Sequence, residues 1–292
     1  MKIILFSRRQ LSHTAAEICQ LFDALRLFGF DYAVNEEFAP LIGELTGMQI
    51  PPEKVYGQCI GQQPADSLMV CYGGDGTLLE GVHRLCGAPI PVMGINAGHL
   101  GFLTSAPSAG LNLIFDDIAA GRITTEPRSL LRIEGDFAER PDSTLALNEF
   151  TVQRHGAGMI SVETYVDDQM VATYHGDGVI VSTPTGSTAY SLSAGGPVVV
   201  PTCRCLVISP LAPHNLTMRP VVIPDSGVIS LRVNARRSDA FVTLDDRTHP
   251  ISHGAAFTVR RAEQQIFLAV PHNISFYDTL RNKMMWGIDI RS

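Results

Sequence analysis

The sequence predicts an α/β domain followed by an all-β, sandwich-type domain, and three observations carry that reading. Short apolar runs alternate with stretches of helical period over roughly the first 120 residues, the pattern of a layered α/β fold. After Gly121 the texture changes to short alternating strands, many joined by Asp, Gly or Pro turns such as Asp167-Asp168. Helical character returns in the tail, 275–286, which is expected to pack back on the first domain. The domains expected are therefore 1–122 plus 272–292, and 123–271.

Taken in order, residues 2–7 read as a first strand. Ser12 is placed to cap a helix whose apolar positions Ala15, Ile18, Leu21, Phe22 and Leu25 keep a helical period up to Gly29. A strand covers 30–34, and Pro51-Pro52 interrupts 36–63, which reads as helix plus loop. Residues 66–72 form a buried strand, 77–86 a helix, and 90–95 another strand. A helix over 108–120 ends at Gly121. In the second domain strands are expected at 130–133, 145–152, 160–166, 178–181, 206–208, 228–233, 241–244, 257–260 and 266–270, with 187–194 as a short helical exception.

Bulk properties narrow the function. The 292 residues are 45% hydrophobic and 17% charged, and no apolar stretch is long enough to span a bilayer, so no membrane role is expected. The N-terminal apolar run is too short for a signal peptide and Arg8-Arg9 follow it at once. A formal charge of −7 argues against a general nucleic-acid surface. The six cysteines, at 19, 59, 71, 86, 203 and 205, show neither zinc-finger nor redox spacing and are expected as reduced thiols of a cytoplasmic protein.

The chemistry centres on Gly73-Gly-Asp-Gly-Thr77, directly after the apolar strand 67–72. Glycines let a ligand approach the backbone, and amides at a helix start attract phosphate. A carboxylate there would repel phosphate unless it binds a metal or takes a proton from the group being phosphorylated, which suggests phosphoryl transfer with Asp75 as base. A plain strand–turn–helix junction could use the same residues; the flanking strand and helix favour the phosphate cradle. No Walker Gly-Lys-Ser/Thr occurs, and none of the three lysines, Lys2, Lys54 and Lys283, adjoins a glycine loop. Protein-kinase motifs are missing as well. A second glycine-rich turn spans 94–103, with Gly94, Gly98 and Gly101.

Farther along, Asn148-Glu149 offers an amide beside a carboxylate, a pair suited to ribose hydroxyls as well as to an exposed strand end. Asp177 lies in a turn entering a strand. The stretch 183–197 gathers the hydroxyls of Thr183, Thr185, Ser187, Thr188, Ser191 and Ser193 around Tyr190, more donors than a structural loop requires and suited to a nucleotide.

Together these stretches resemble the NAD kinases, which phosphorylate NAD to NADP. Gly73–Thr77, Gly94–Phe102, Asn148-Glu149, Asp177-Gly178 and Thr183–Tyr190 match that family's motifs in order. Pro213-His214-x-Leu216-x-x-Arg219-Pro220 and Leu280-Arg-x-Lys-Met-x-Trp286 extend the likeness over nearly the whole chain.

The resemblance implies a Rossmann-like N-terminal domain, a β-rich C-terminal domain, NAD bound between them, and a homo-oligomer, dimer or tetramer. Carried over by position, Asp75 would accept the proton of the adenosine ribose 2′-hydroxyl, and Gly73, Gly74, Gly76 and Thr77 would line phosphates. Asn148 and Glu149 would bind ribose and adenine-side groups. His175, Asp177, Thr188, Ala189, Tyr190, Ser191, Leu192 and Ser193 would complete the NAD site. ATP, or polyphosphate in its place, would be the donor, with Mg²⁺ as the divalent cation.

His175 stands where bacterial members often carry arginine, which leaves the choice between NAD and NADH open. Asp245-Asp246-Arg247 replaces a frequent Asp-Gly-Gln, so Arg247 is not assigned as a ligand. Two other readings stand beside this one: a lipid or sugar kinase sharing the glycine loop, and a non-catalytic NAD(H) sensor.

Overall fold

The computed structural model describes residues 1–8, 13–96, 101–104, 106–107, 110–139, 141–235, 240–272 and 274–285. The chain divides into two compact units, 1–127 with 266–292, and 128–265. Both boundaries fall inside long strands, Ile123–Gly135 and Ala256–Pro271, rather than at the turns near 122 and 272.

The first unit is built on a parallel sheet in the order Val55–Tyr56, Asp31–Asn35, Lys2–Phe6, Ser67–Tyr72, Val92–Asn96. Its central strands are buried throughout, as expected of a parallel sheet covered on both faces. In chain order these strands read 3-2-1-4-5, so the winding reverses between Lys2–Phe6 and Ser67–Tyr72. Open α/β sheets form their ligand crevice at such a reversal, beyond the carboxyl ends of the strands. The register Phe6↔Cys71 and Tyr72↔Ile95 brings Arg8 and Gly73 out at that same edge.

Helices cover this sheet. Ala15–Leu27 is capped by Thr14, whose hydroxyl accepts from the Glu17 amide at 3.2 Å while the Glu17 carboxylate accepts from the Thr14 amide at 2.8 Å. Ser12, the expected cap, lies outside the described residues, as do Gly98 of the second glycine turn, the expected helix start Ser108, and Trp286. The helix after the glycine loop starts at Asp75, two residues before the expected position. Gly74 is extended, and its carbonyl accepts from the amides of Thr77 and Leu78, so winding begins immediately. The stretch 36–63 resolves into a helix, Phe38–Thr46, a 3₁₀ turn, Pro52–Lys54, and the two-residue strand. The tail helix, Phe276–Met284, is fixed by a capping box between Ser275 and Asp278.

The second unit packs two antiparallel sheets. One contains Gln169–Gly176, Ile160–Val166 and Ile229–Ala235; the other runs Val221–Pro224, Cys205–Leu211, Gly178–Ser182, Glu149–Arg154, Ala240–Leu244, Arg247–Ile251. Val162, Leu231 and Phe257 from one side meet Phe150, Val181, Ile208 and Val242 from the other in a single apolar core. Gln169–Gly176, Val221–Pro224 and Arg247–Ile251 were not foreseen from the sequence. Each ends its sheet and exposes much of its length, so its apolar alternation is weak. The expected strands at 257–260 and 266–270 are one strand, Ala256–Pro271, and the expected helix at 187–194 is a 3₁₀ turn, Thr185–Thr188, followed by Tyr190–Ser193.

One expectation is overturned. Cys59 and Cys86 form a disulfide, Cα atoms 5.7 Å apart, while Cys19, Cys71, Cys203 and Cys205 are free. The Ile60 amide donates to the Arg84 carbonyl at 3.0 Å and seats the Cys59 loop against the helix end, a proximity that sequence spacing does not reveal. Among the described residues no helix is long and apolar enough to cross a membrane.

Candidate active site

In the first unit the glycine loop and Asp75 face the reversal edge of the sheet. The Gly73 amide is committed to the sheet, donating to the Ile95 carbonyl at 2.9 Å, and the Thr77 amide donates to Gly74. Thr77 itself is buried. The amides of Gly74, Asp75 and Gly76 are the ones that a helix start leaves without an upstream carbonyl. A phosphate drawn here therefore meets Gly74 and Gly76, while Gly73 contributes only its lack of a side chain.

Asp75 is held from one side. Its Oδ2 accepts from the Phe102 amide at 2.9 Å; its Oδ1 accepts from the amides of Leu103 and Thr104 at 3.2 and 3.0 Å and from the Thr104 hydroxyl at 2.9 Å. A carboxylate has about four lone-pair sites, two on each oxygen, so Oδ1 is fully engaged while Oδ2, with a single donor, keeps a site open. Gly101 makes the cradle possible, because a Cβ there would overlap Asp75 Oδ1 and the Thr104 hydroxyl. The Lys283 ammonium, from the tail helix, stands 3.9 Å from Asp75 Oδ2 and 5.1 Å from the centre of the Phe102 ring.

Arg8 reaches the loop at Gly76. Its Nε donates to Glu80 Oε2 at 2.6 Å, and its Nη1 is 3.2 Å from where a Cβ on Gly76 would sit. Glu80 also accepts from Arg84, which pairs with Glu37 at 2.7 Å. Sequence reasoning missed both Arg8 and Lys283. Arg8 was legible in principle, since it follows the first strand as Gly73 follows its parallel neighbour. Lys283 lies far from the loop in sequence, and only folding brings it close.

In the second unit a separate cluster forms around Asn148 and Glu149. Asp245, at positive φ in the hairpin between Ala240–Leu244 and Arg247–Ile251, accepts from the amides of Leu147, Asn148 and Glu149 at 2.8, 2.7 and 3.2 Å. Arg247 donates to the carbonyls of Ser143 and Leu145 and steadies the same segment. The 3₁₀ turn closes on Asn148, where a Cβ at Gly186 would overlap the Asn148 carbonyl oxygen. Glu149 is buried, and its Oε2 has no hydrogen-bond partner. Burial, reinforced by the Asp245 charge, pushes its carboxyl up to about 8, and a hydrogen bond with the Tyr190 backbone offsets part of that rise. Burial also raises Asp245, to about 6, against the pull of its three amides.

The cluster joins Asn148, Glu149 and Tyr190, with Thr188 and Ala189 in the same turn, but several expected donors are spent elsewhere. The hydroxyls of Thr183, Ser187 and Thr188 donate to the carbonyls of Leu147, Pro184 and Thr185. Ser191 is buried against Ser209. Tyr190, Leu192 and Ser193 keep exposed surface. His175 and Asp177 are not in the cluster. Glu149 pairs with Ser182, five residues along the strand from Asp177, a separation of about 17 Å. Asp177 instead pairs with Arg154 at 2.6 Å.

Family comparisons cover both units. Residues 53–123 match the ATP-NAD kinase N-terminal domain and residues 147–271 the ATP-NAD kinase C-terminal domain. An NAD kinase of Bacteroides fragilis is 35% identical over 292 residues, covering all of both chains. The chain belongs to the NAD kinase family.

An NAD kinase of Cytophaga hutchinsonii is 40% identical over 226 residues, 77% of each chain. The fold agrees with solved structures: yeast NADH kinase complexed with NADH has a TM-score of 0.84 at 22% identity, covering 100% of this chain and 89% of that one. An Archaeoglobus fulgidus NAD kinase in complex with ATP has a TM-score of 0.71 at 24% identity, covering 98% of each. As an NAD kinase family member the chain is a phosphotransferase acting on an alcohol group. Among the described residues no three His, Cys, Asp or Glu side chains gather as a metal cage.

Proposed function

We propose that the chain transfers the γ-phosphoryl group of ATP to the 2′-hydroxyl of the adenosine ribose of NAD, giving NADP and ADP, with Asp75 as the proton acceptor. The observation that carries this is the position of Asp75: an acid on the first turn of a helix, among glycines, at the winding reversal of the sheet. Gly74 and Gly76 offer amides to phosphate, and Arg8 adds a cation beside them. In the second unit Asn148 and the buried Glu149 are the groups suited to ribose and adenine, with Tyr190 beside them. Mg²⁺ enters with the nucleotide and neutralises phosphate charge when bound. A cytoplasmic location and a homo-oligomeric state belong to the same reading and rest on the family resemblance.

The uneven hydrogen bonding of Asp75 sets a condition on this mechanism. Oδ1 is occupied by three donors, so the proton would go to Oδ2, whose second lone-pair site is open, without loosening the 102–104 segment. The same observation favours a second reading, in which Asp75 anchors the loop and serves no base function.

Purified protein with NAD or NADH, ATP or polyphosphate and Mg²⁺, assayed for NADP(H), tests the activity. Asp75→Asn tests the base, with the pH dependence read alongside. Loss of a base removes on the order of 10²–10⁴-fold of kcat, with residual turnover rising toward high pH and NAD affinity preserved. An anchor role instead lowers kcat and NAD affinity together at every pH, because the Asn amide would face backbone donors.

A further inference from the structure

The chain belongs to a phosphoryl-transfer family yet carries no lysine in or next to its glycine loop. Of its three lysines, Lys54 is paired with Asp31 at 3.0 Å and lies over Tyr32, and Lys2 sits in the first strand. Lys283 is the one that approaches the loop. Its ammonium reaches the Asp75 carboxylate from a helix more than two hundred residues downstream. We propose that Lys283 is the phosphoryl-binding cation of this active site, supplied by the tail helix in place of a loop lysine. The proposal deepens the kinase reading above and rests on it.

Three features of the geometry support that role. At 3.9 Å the ammonium is beyond hydrogen-bond distance from Asp75, while the loop donors are at 2.9–3.2 Å, so Lys283 is near the carboxylate but not committed to it. Both side chains keep surface open to a ligand, 39% for Lys283 and 29% for Asp75. The position of the ammonium is also built in. The Ser275–Asp278 capping box fixes the start of the helix, Thr279 and Leu280 are buried, and Phe276 packs on Phe102, the residue whose amide holds Asp75. Lys283 and the Asp75 cradle thus share one support.

The charge logic runs the same way. An uncompensated Asp75 would repel the γ-phosphate that must approach it. With the ammonium alongside, the pair is close to neutral when ATP arrives. As the ribose O2′–Pγ bond forms and the bond from Pγ to the β-phosphate oxygen breaks, ADP leaves with that electron pair and the 2′-hydroxyl proton passes to Asp75. Lys283 then faces a neutral carboxylic acid and is released to the equatorial phosphoryl oxygens, where the negative charge is spread. The cation follows the charge from acid to phosphate.

The test compares Lys283→Met, which keeps an apolar stem against Phe102, with Lys283→Arg, alongside wild type. Formation of NADP by wild type tests the kinase reading; the ratios among the three test this proposal. The expected result is a kcat about 10²-fold lower in Lys283→Met, recovered at least tenfold in Lys283→Arg, with the dissociation constant for NAD and the melting temperature unchanged. A kcat within about threefold of wild type in Lys283→Met overturns it. So does an equal loss in both variants, or a loss that tracks a lowered melting temperature, since each marks the lysine as a structural part of the tail helix. If Lys283→Met does not fold, Lys283→Gln is read by the same criteria.

Discussion

The carboxylate of Asp245 lies 2.7 Å from the amide nitrogen of Asn148, a partner 97 residues earlier in the chain. It accepts from Leu147 and Glu149 as well, so one hairpin residue holds the backbone of the whole Asn148–Glu149 element. Asp245→Asn replaces one acceptor oxygen with an NH₂ group that must face an amide donor. We expect a loss of about 2–4 kcal/mol in unfolding free energy and weaker NAD binding. Denaturant unfolding and an NAD titration check this, and an unchanged unfolding midpoint would sink it.

Gly101 borders the Asp75 carboxylate through its missing side chain. Gly101→Ala drives a methyl group into Asp75 and Thr104, so the carboxylate must leave its cradle or the segment must move. The expected cost is about 1–3 kcal/mol of stability together with a fall in kcat, since the acid loses its fixed orientation. Melting temperature and steady-state kinetics on the same preparation decide it; full activity would show that the cradle is not needed for turnover.

Glu149 should make stability depend on pH. Its folded pKa of about 8 lies above the ordinary value of 4.5, so the folded chain holds this proton more tightly than the unfolded chain. That contribution is complete below about pH 4.5 and is lost as pH rises through 8. Glu149→Gln never ionises, and its stability relative to wild type should therefore be greater at pH 8.5 than at pH 5, by about 4 kcal/mol. Guanidinium unfolding at both pH values measures the difference; the same gap at each would refute it. Ligand hydroxyls that donate to the carboxylate favour ionisation, so NAD binding near pH 7 should release a proton, visible as buffer-dependent heat in calorimetry.

Arg8 should matter to the phosphate donor. Arg8→Met removes a cation beside Gly76 and leaves Glu80 its ion pair with Arg84. The expected effect is a KM for ATP raised about tenfold, with the dissociation constant for NAD little changed. An equal rise for both substrates would assign Arg8 to the fold of the loop.

Much of this was legible in advance because the signals are local. The buried strands Lys2–Phe6 and Ser67–Tyr72 are continuous apolar runs, and glycines followed by a helical pattern mark the loop that opens the helix at Asp75. Edge strands such as Arg247–Ile251 were not legible, since half-exposed residues carry no strong period. The hydroxyls of the 183–193 stretch misled for a related reason. Composition shows donors, but it does not show that Thr183 and Ser187 turn inward to backbone carbonyls.

By itself the sequence determined the two-part α/β and β architecture, the family, and the motifs that bear chemistry, because these follow from periodicity and from residues adjacent in the chain. Tertiary structure alone decided what surrounds those motifs. It supplied donors to Asp75 from residues 102–104, brought Lys283 to the same carboxylate, set Asp245 against the Asn148 amide, and joined Cys59 to Cys86. Hydrogen bonds and charge pairs act over a few ångströms, and chain separation of tens to hundreds of residues leaves no local trace of which groups will meet.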